Sequence, residues 1–116
     1  MAVEIDGSKG VVDTVKRHGS LSSATNLNFN DGQVQTFTVG GAFTATVTNP
    51  PADGKATAML LEITNGSSST LTWDPQIIWS GGTAPSLTAS GIDLVSIWTE
   101  DAGTSIYGNI IGVDYS

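Results

Sequence analysis

The segment AFTATVTN, residues 42–49, shows the pattern that decides the fold class of this chain. Phe43, Ala45 and Val47 occupy every second position, and threonines fill the positions between them. Successive side chains of a β-strand point to opposite faces of the sheet, so this alternation predicts a strand with one buried face and one polar face. The same period of two continues on both sides of the segment, and no helical period is sustained in the sequence.

Turn signals separate the predicted strands. Asp31-Gly32 predicts a hairpin turn and Asp53-Gly54 a second turn, because glycine adopts positive φ without a steric penalty. Asn49-Pro50-Pro51 ends the strand before it, since proline has no N–H for a β-ladder. The runs GIDLVSIWT, EDAG and TSIYGNIIGV, residues 91–113, predict a closing hairpin.

The pattern contains about eight short strands with a turn roughly every 8–12 residues. We therefore predict an all-β fold, as an antiparallel β-sandwich or jelly roll with an extended N-terminal arm. The strand faces predicted to form its core carry Phe37, Phe43, Met59, Leu61 and Trp73.

Composition narrows the possible functions. The chain has 116 residues, enough for one domain with its own core, and no cysteine, which removes disulfide frameworks and thiol-based sites. No signal peptide or membrane span is expected, because no long apolar run is present.

The net charge is −7, and residues 21–116 carry eight acidic residues against Lys55 alone. Such a body repels phosphate backbones, so we expect no nucleic-acid partner.

Residues 1–23 are predicted to form a separate arm, and residues 24–116 the β domain. The arm is poor in large apolar residues and contains three glycines. Because chain termini are ordered mainly where something ties them down, we expect the arm to dock on a partner subunit. The alternative is that it lies back along its own domain. The residues expected to make the partner contact are Glu4, Lys9, Val11, Val12, Val15, Lys16, Arg17 and Leu21.

Candidates for catalysis are few. His18 is the one histidine and lies in the predicted arm beside Arg17, so we interpret it as a surface residue. The pair Glu100-Asp101 falls in a predicted turn, and Asp93 and Asp114 could approach each other across the sheet. Neither a nucleophile elbow, nor a P-loop, nor a calcium-loop pattern is present. We therefore predict a protein that is not an enzyme and binds no cofactor or metal.

The aromatic residues suggest a surface for recognition. Trp73 shares a face with Leu71, and Trp98 is in phase with Ile92 and Leu94, so both tryptophans are predicted to be core. Trp79 ends a short strand before a glycine-rich loop, where a rim or interface position is expected. The residues assigned to an interface or tip loop are Trp79, Gly81, Gly82, Thr83, Pro85 and Tyr107. Alternatively, the rings of Trp73, Trp79, Trp98 and Tyr107 could stack on sugar rings.

Four segments in order resemble a β domain of tailed-bacteriophage virion proteins: NLNFNDGQVQTFTVGG, NPPADGKATAMLLEIT, WDPQIIWSGGTAPSLT and IDLVSIWTEDAGTSIYG. Asn30-Asp31-Gly32, Asn49-Pro50-Pro51 and the run from Trp79 to Thr88 follow the order of that family's motifs. The last motif departs from the family at Ala102, where glycine is common. The resemblance covers about 90 residues, from Leu27 to the end.

The resemblance implies a virion surface protein, often trimeric, without catalytic residues. From the short length and the arm we expect a homotrimeric capsid decoration (cement) protein that binds and stabilises the shell. Its partners would be itself and the major capsid protein or another virion protein, with no membrane partner, in a virion assembled in the bacterial host cytoplasm. The alternative is a tail fibre or receptor-binding module that recognises host surface polysaccharide through Trp79 and Tyr107. A depolymerase acting through Glu100 or Asp101 ranks last.

Overall fold

The computed structural model describes residues 3–6 and 10–116, and side chains from Asp13 onward. Two short 3-10 turns, Phe29–Asp31 and Ser80–Gly82, interrupt an otherwise β structure. The strands of the described residues are β1 (Val3–Asp6), β2 (Gly10–Asp13), β3 (Val15–Leu21), β4 (Thr25–Asn28), β5 (Val34–Val39), β6 (Phe43–Thr48), β7 (Thr57–Thr64), β8 (Leu71–Trp73), β9 (Ile77–Trp79), β10 (Ile92–Thr99) and β11 (Ile106–Tyr115). The prediction of an all-β fold is confirmed.

The strands form three sheets. The largest has six strands in the order β3-β5-β7-β10-β11-β9, the second has the order β4-β6-β8, and β1 pairs with β2 in a third. From β3 to β8 the chain alternates between the two larger sheets, so β3, β5 and β7 lie parallel in one and β4, β6 and β8 lie parallel in the other. Parallel neighbours need a crossover connection, and here a strand of the opposite sheet provides each one.

The prediction of antiparallel pairing is wrong for most of this structure. Among the described residues, five of the eight strand pairs are parallel. The hairpin predicted at Asp31-Gly32 does not form, because β4 and β5 belong to different sheets. Gly32 has a φ of 143°, and a Cβ at this position would overlap the carbonyl of Thr14. This glycine therefore allows the N-terminal segment to cross the β4–β5 connection.

The predicted C-terminal hairpin is confirmed. β10 and β11 pair antiparallel, with Thr99 opposite Ile106 at the closed end. In the turn, Asp101 Oδ1 accepts a hydrogen bond from the Ser105 N–H at 2.8 Å, and the Thr99 hydroxyl donates to the Ser105 carbonyl at 2.8 Å. Ala102 and Gly103 both adopt positive φ, at 57° and 81°. Two successive left-handed residues thus reverse the chain, one of them an alanine.

Both larger sheets contribute to one hydrophobic core. Phe37 on β5 and Phe43 on β6 join the sheets directly, with ring centroids 5.7 Å apart and planes at 85°. Each fully buried side chain of this size contributes roughly 1.5–3 kcal/mol to folding. Of the five residues predicted for the core, four are buried and Trp73 is half-buried against them. The buried apolar residues are Leu27, Phe29, Phe37, Val39, Phe43, Ala45, Val47, Met59, Leu61, Ile63, Ile77, Val95, Ile97 and Ile106.

Part of the predicted arm belongs to the domain itself. β3 pairs in parallel with β5, and Leu21 packs against the core. The alternative, in which this segment lies back along its own domain, therefore describes Val15–Leu21. Lys16 and Arg17 are exposed on this edge strand, where charged residues discourage pairing with further strands.

The remaining arm residues have only a backbone description or none. β1 and β2 form an antiparallel ladder in which Val3 lies opposite Asp13 and Asp6 opposite Gly10. Lys9 lies outside the described residues, and the side chains of Glu4, Val11 and Val12 lie outside the described side chains. Docking on a partner subunit stays a prediction for this segment.

Candidate functional site

The outer face of the six-stranded sheet, opposite the core, carries the candidate site. Along β10, Asp93, Val95, Ile97 and Thr99 are buried, and the alternate positions face outward. Trp98 is 40% exposed, so the prediction that it is a core residue is wrong. Trp98 lies on the same face of β10 as Ile92 and Leu94, as predicted, but both faces of this strand carry apolar residues. The alternation therefore could not decide which phase faces the core.

Strand pairing places a second aromatic ring beside Trp98. Tyr107 on β11 lies directly opposite it, 39% exposed, with ring centroids 5.1 Å apart and planes at 32°. Ile78 on β9 is the partner of Tyr107 on the other side and is half-exposed. Two residues along each strand, on the same face, Ser96 lies opposite Asn109. Apolar rings and polar side chains thus occupy adjacent rows of one rigid surface.

These residues line an open cleft of about 490 Å³. Its size falls within the range of roughly 300–1,000 Å³ typical of small-molecule sites. None of the residues that line it carries a charge. The lining residues are Ile78, Trp79, Ser80, Ser96, Trp98, Tyr107, Gly108, Asn109 and Ile111.

Trp79 forms one wall of this cleft and also closes the core. It is half-buried and packs edge to face against Trp73, with ring centroids 5.0 Å apart and planes at 66°. A Cβ at Gly108 would overlap the rings of Trp79 and the side chain of Ile77, so this glycine lets both pack against β11. The Trp79 ring therefore lies on the core side of β9 with Ile77 and offers less free aromatic surface than Trp98.

The glycine-rich loop lies beside the cleft. Gly81 and Gly82 are exposed with φ of 78° and 82°, and Thr83 is exposed as well. Thr83 and the half-buried Pro85 line a smaller depression of about 180 Å³ that shares Trp79 and Asn109 with the cleft wall. Of the residues assigned to an interface or tip, Trp79 and Tyr107 are thus brought together in the cleft, and Thr83 and Pro85 lie next to it. Whether a partner covers them stays a prediction.

A buried carboxylate holds the loop before β10 against the end of β11. Asp93 Oδ2 accepts from the Thr88 N–H at 2.5 Å, and Oδ1 accepts from the Thr88 hydroxyl at 2.8 Å and from the Asp114 N–H at 2.9 Å. Burial is the largest influence and raises the pKa of Asp93, but the hydrogen bonds from Thr88 and Asp114 together outweigh it and leave the pKa below its ordinary value. Asp93 and Asp114 do approach each other, through the backbone of Asp114. By accepting these hydrogen bonds, Asp93 holds two segments of the backbone together, which is a structural role.

Two of the other catalytic candidates, Asp101 and His18, are also engaged in structural contacts. The Asp101 carboxylate is held by the turn that it closes, and hydrogen bonds from Ser105 lower its pKa. His18 Nε2 lies 2.8 Å from Gln35 Oε1, and because an amide oxygen only accepts, the histidine nitrogen donates. Gln35 Nε2 donates in turn to the carbonyl oxygens of Asn28 at 2.7 Å and Gly32 at 3.2 Å. This network was not predicted from the sequence, although Gln35 shares a strand face with Phe37 and Val39.

Within the described residues, no three histidine, cysteine or acidic side chains are grouped as metal ligands. The same part of the chain has no helix long and apolar enough to span a membrane.

Comparisons with protein-family models, with curated proteins and with solved structures found no match to this chain.

Proposed function

We propose that this chain is a bacteriophage virion structural protein, a homotrimeric decoration protein that binds and stabilises the capsid shell. The order of its four sequence motifs supports a place on a virion. The observation that carries the proposal is the N-terminal hairpin of β1 and β2, which in the described residues hydrogen-bonds to no other strand. A two-stranded hairpin by itself is at best marginally stable in water, so this one fits a segment that packs on a partner.

The base of the hairpin is fixed to the domain. Asp13, its last residue, accepts hydrogen bonds from the Thr14 N–H at 2.7 Å and from the Gln33 N–H at 2.6 Å. The hairpin therefore leaves the β domain from a defined point, beside the crossing at Gly32. Such a geometry suits an anchor that reaches a neighbouring shell subunit while the domain stays outside.

We propose that copies of the chain contact one another through the end of β11. Val113 and Tyr115 are at least half-exposed there, and a Cβ at Gly112 would overlap the Tyr115 ring, so the ring lies against this glycine. Contiguous exposed apolar patches mark protein contacts, and we propose that these two residues belong to one. We propose that the two larger sheets form a two-layer sandwich and that three such domains meet at a threefold axis. Attachment of a trimer through three hairpins raises the effective affinity without new contacts.

The copy number on the virion tests this proposal. Immunogold labelling of intact particles with an antibody to this chain, with copies counted by quantitative mass spectrometry, is expected to give label over the whole head and far more copies than a tail can carry. Label confined to the tail would contradict the decoration role and favour the receptor-binding module. Particles without the chain would contradict both.

A further inference from the structure

We infer that the cleft between β9, β10 and β11 binds a neutral glycan, with a pyranose ring seated on Trp98 and Tyr107. The inference concerns a different surface from the N-terminal hairpin, and it holds whether the chain lies on a head or a tail. Its starting point is the pair of exposed aromatic rings, which are opposite each other on adjacent strands.

Aromatic exposure at this site has no explanation in the fold. Tryptophan and tyrosine bury large areas in most proteins, yet Trp98 and Tyr107 leave about two-fifths of their surface to solvent. The core of the domain is complete without them, since Val95 and Ile97 supply the buried face of β10. Two large rings on paired strands pack against each other and leave aromatic surface exposed. Such a surface suits a flat apolar ligand face, and the C–H face of a pyranose is one.

Polar groups lie where the rim of a sugar ring would meet them. Ser96 and Asn109 follow Trp98 and Tyr107 in the next row of the same face, and Ser80 lines the cleft near Trp79. A hydroxyl and an amide each both donate and accept hydrogen bonds. Sugar hydroxyls have the same dual character, so this combination of side chains matches a hydroxyl-rich ligand better than a purely apolar one.

The uncharged cleft and the negative net charge of the chain favour neutral sugars as ligands. The cleft contains no charged side chain, and the chain carries a net charge of −7. An acidic glycan would meet the repulsive field of the whole domain without a cationic residue in the cleft to offset it. The proposed ligand is therefore a stretch of neutral hexose or N-acetylhexosamine polymer. A second copy of the chain is the competing occupant, and the test distinguishes it.

The test follows the three tryptophan indole N–H signals of the full chain in ¹H–¹⁵N correlation spectra. The probes are neutral oligosaccharides of glucose, galactose, mannose and N-acetylglucosamine, with oligogalacturonate as the anionic comparison. We expect a neutral probe to shift the Trp98 signal saturably, with smaller effects on Trp73 and Trp79 and none from oligogalacturonate. Assignment comes from the Trp98→Phe variant, which lacks that signal.

Variants separate stacking from a structural effect. Trp98→Ala is expected to weaken binding about tenfold or more, and Asn109→Ala less than that, while Trp98→Phe keeps an aromatic face and loses less than Trp98→Ala. Thr46→Ala is the control, since it changes an exposed residue of β6, in the other sheet and outside the cleft, and is expected to leave sugar binding unchanged.

Two results would overturn the inference. One is the absence of a saturable shift at Trp98 with every neutral probe. The other is a change in the molecular mass of the assembly in Trp98→Ala without any sugar effect, which would assign the cleft to contact between copies. Absence of the chain from virions would contradict the proposed function and leave the glycan result standing on its own.

Discussion

Trp98 and Tyr107 face each other across β10 and β11 on the solvent side of the sheet, with ring centroids 5.1 Å apart. The buried side of the same two strands carries Ile97 and Ile106. The β10–β11 hairpin therefore presents apolar side chains on both faces, one packed in the core and one exposed to solvent. The candidate site therefore lies on two paired strands of the domain. The turn residues and hydrogen bonds that hold these and the neighbouring strands in place can be tested one by one.

The alanine in the β10–β11 turn is strained. Ala102 has a φ of 57°, a left-handed conformation that costs an L-residue roughly 1–2 kcal/mol, whereas glycine adopts it at less cost. Ala102→Gly is expected to stabilise the domain by about 0.5–1 kcal/mol after the greater freedom of glycine in the unfolded chain is counted. Thermal unfolding measures it as a rise in Tm of a few degrees. The reverse control, Gly103→Ala at a φ of 81°, should lower Tm.

The Asp93 carboxylate should contribute a large part of the stability. Asp93→Asn replaces an acceptor of three hydrogen bonds by an amide whose NH₂ group opposes at least one donor, so a loss of about 2–3 kcal/mol is expected in urea unfolding at neutral pH. An Asp93→Asn variant as stable as the wild type would contradict the role assigned to this network.

Asp93 should also make the stability of the domain depend on pH. Because the pKa of Asp93 is lower in the folded chain than in the unfolded chain, its contribution is present above the unfolded value of about 3.9 and is lost as the pH falls through the folded pKa. Stability of the wild type should therefore fall on acidification below about pH 4. Asp101 adds to this slope, since its pKa is also lowered. The Asp93→Asn variant should show a shallower slope, and an unchanged slope would exclude Asp93 as a source.

The Gln35 network ties β3 to the domain. Gln35 is fully buried, and Gln35→Leu would leave the carbonyl oxygens of Asn28 and Gly32 without this donor, at a cost of about 2–3 kcal/mol. His18→Ala removes only the hydrogen bond to Gln35 Oε1 and should cost about 1 kcal/mol. Chemical denaturation of the two variants gives the comparison. Equal losses would show that the histidine, and not the pair of backbone contacts, dominates.

Gly32 should be the least replaceable glycine of the domain. A Cβ there would overlap the Thr14 carbonyl, so Gly32→Ala is expected to cost more than about 2 kcal/mol and to release β3, seen as faster amide exchange in Val15–Leu21. Gly54→Ala is the matched control, because Gly54 also has a positive φ, 85°, but open space around its Cβ position. It should cost only about 1 kcal/mol.

Local patterns predicted the strands from β4 to β11, and also the C-terminal hairpin, because a tight turn pairs neighbouring strands; β1, β2 and β3 lie in the segment that was predicted to be an arm. The parallel pairing was not predictable, since alternation reports which side chains share a face and carries no information about the strand alongside. β5 and β7 are paired although β6, in the other sheet, separates them in sequence. Those pairings depend on contacts between segments far apart in the chain.

The candidate site was predictable only in part. Tyr107 was assigned to a surface role, and it lines the cleft. Trp98 was assigned to the core, because its strand is apolar in both phases and only the position of the second sheet decides which phase is covered. Gln35 could have been noticed, since a polar residue in phase with Phe37 and Val39 must find hydrogen-bond partners when buried.

Cosedimentation with phage particles produced without this chain tests whether the chain attaches through its N-terminal hairpin. The full chain is compared with one that begins at Asp13 and so keeps the hydrogen bonds to Thr14 and Gln33. We expect saturable binding of the full chain and loss of binding by the shortened chain, with the circular dichroism and Tm of the β domain unchanged. Equal binding by the two chains would contradict it.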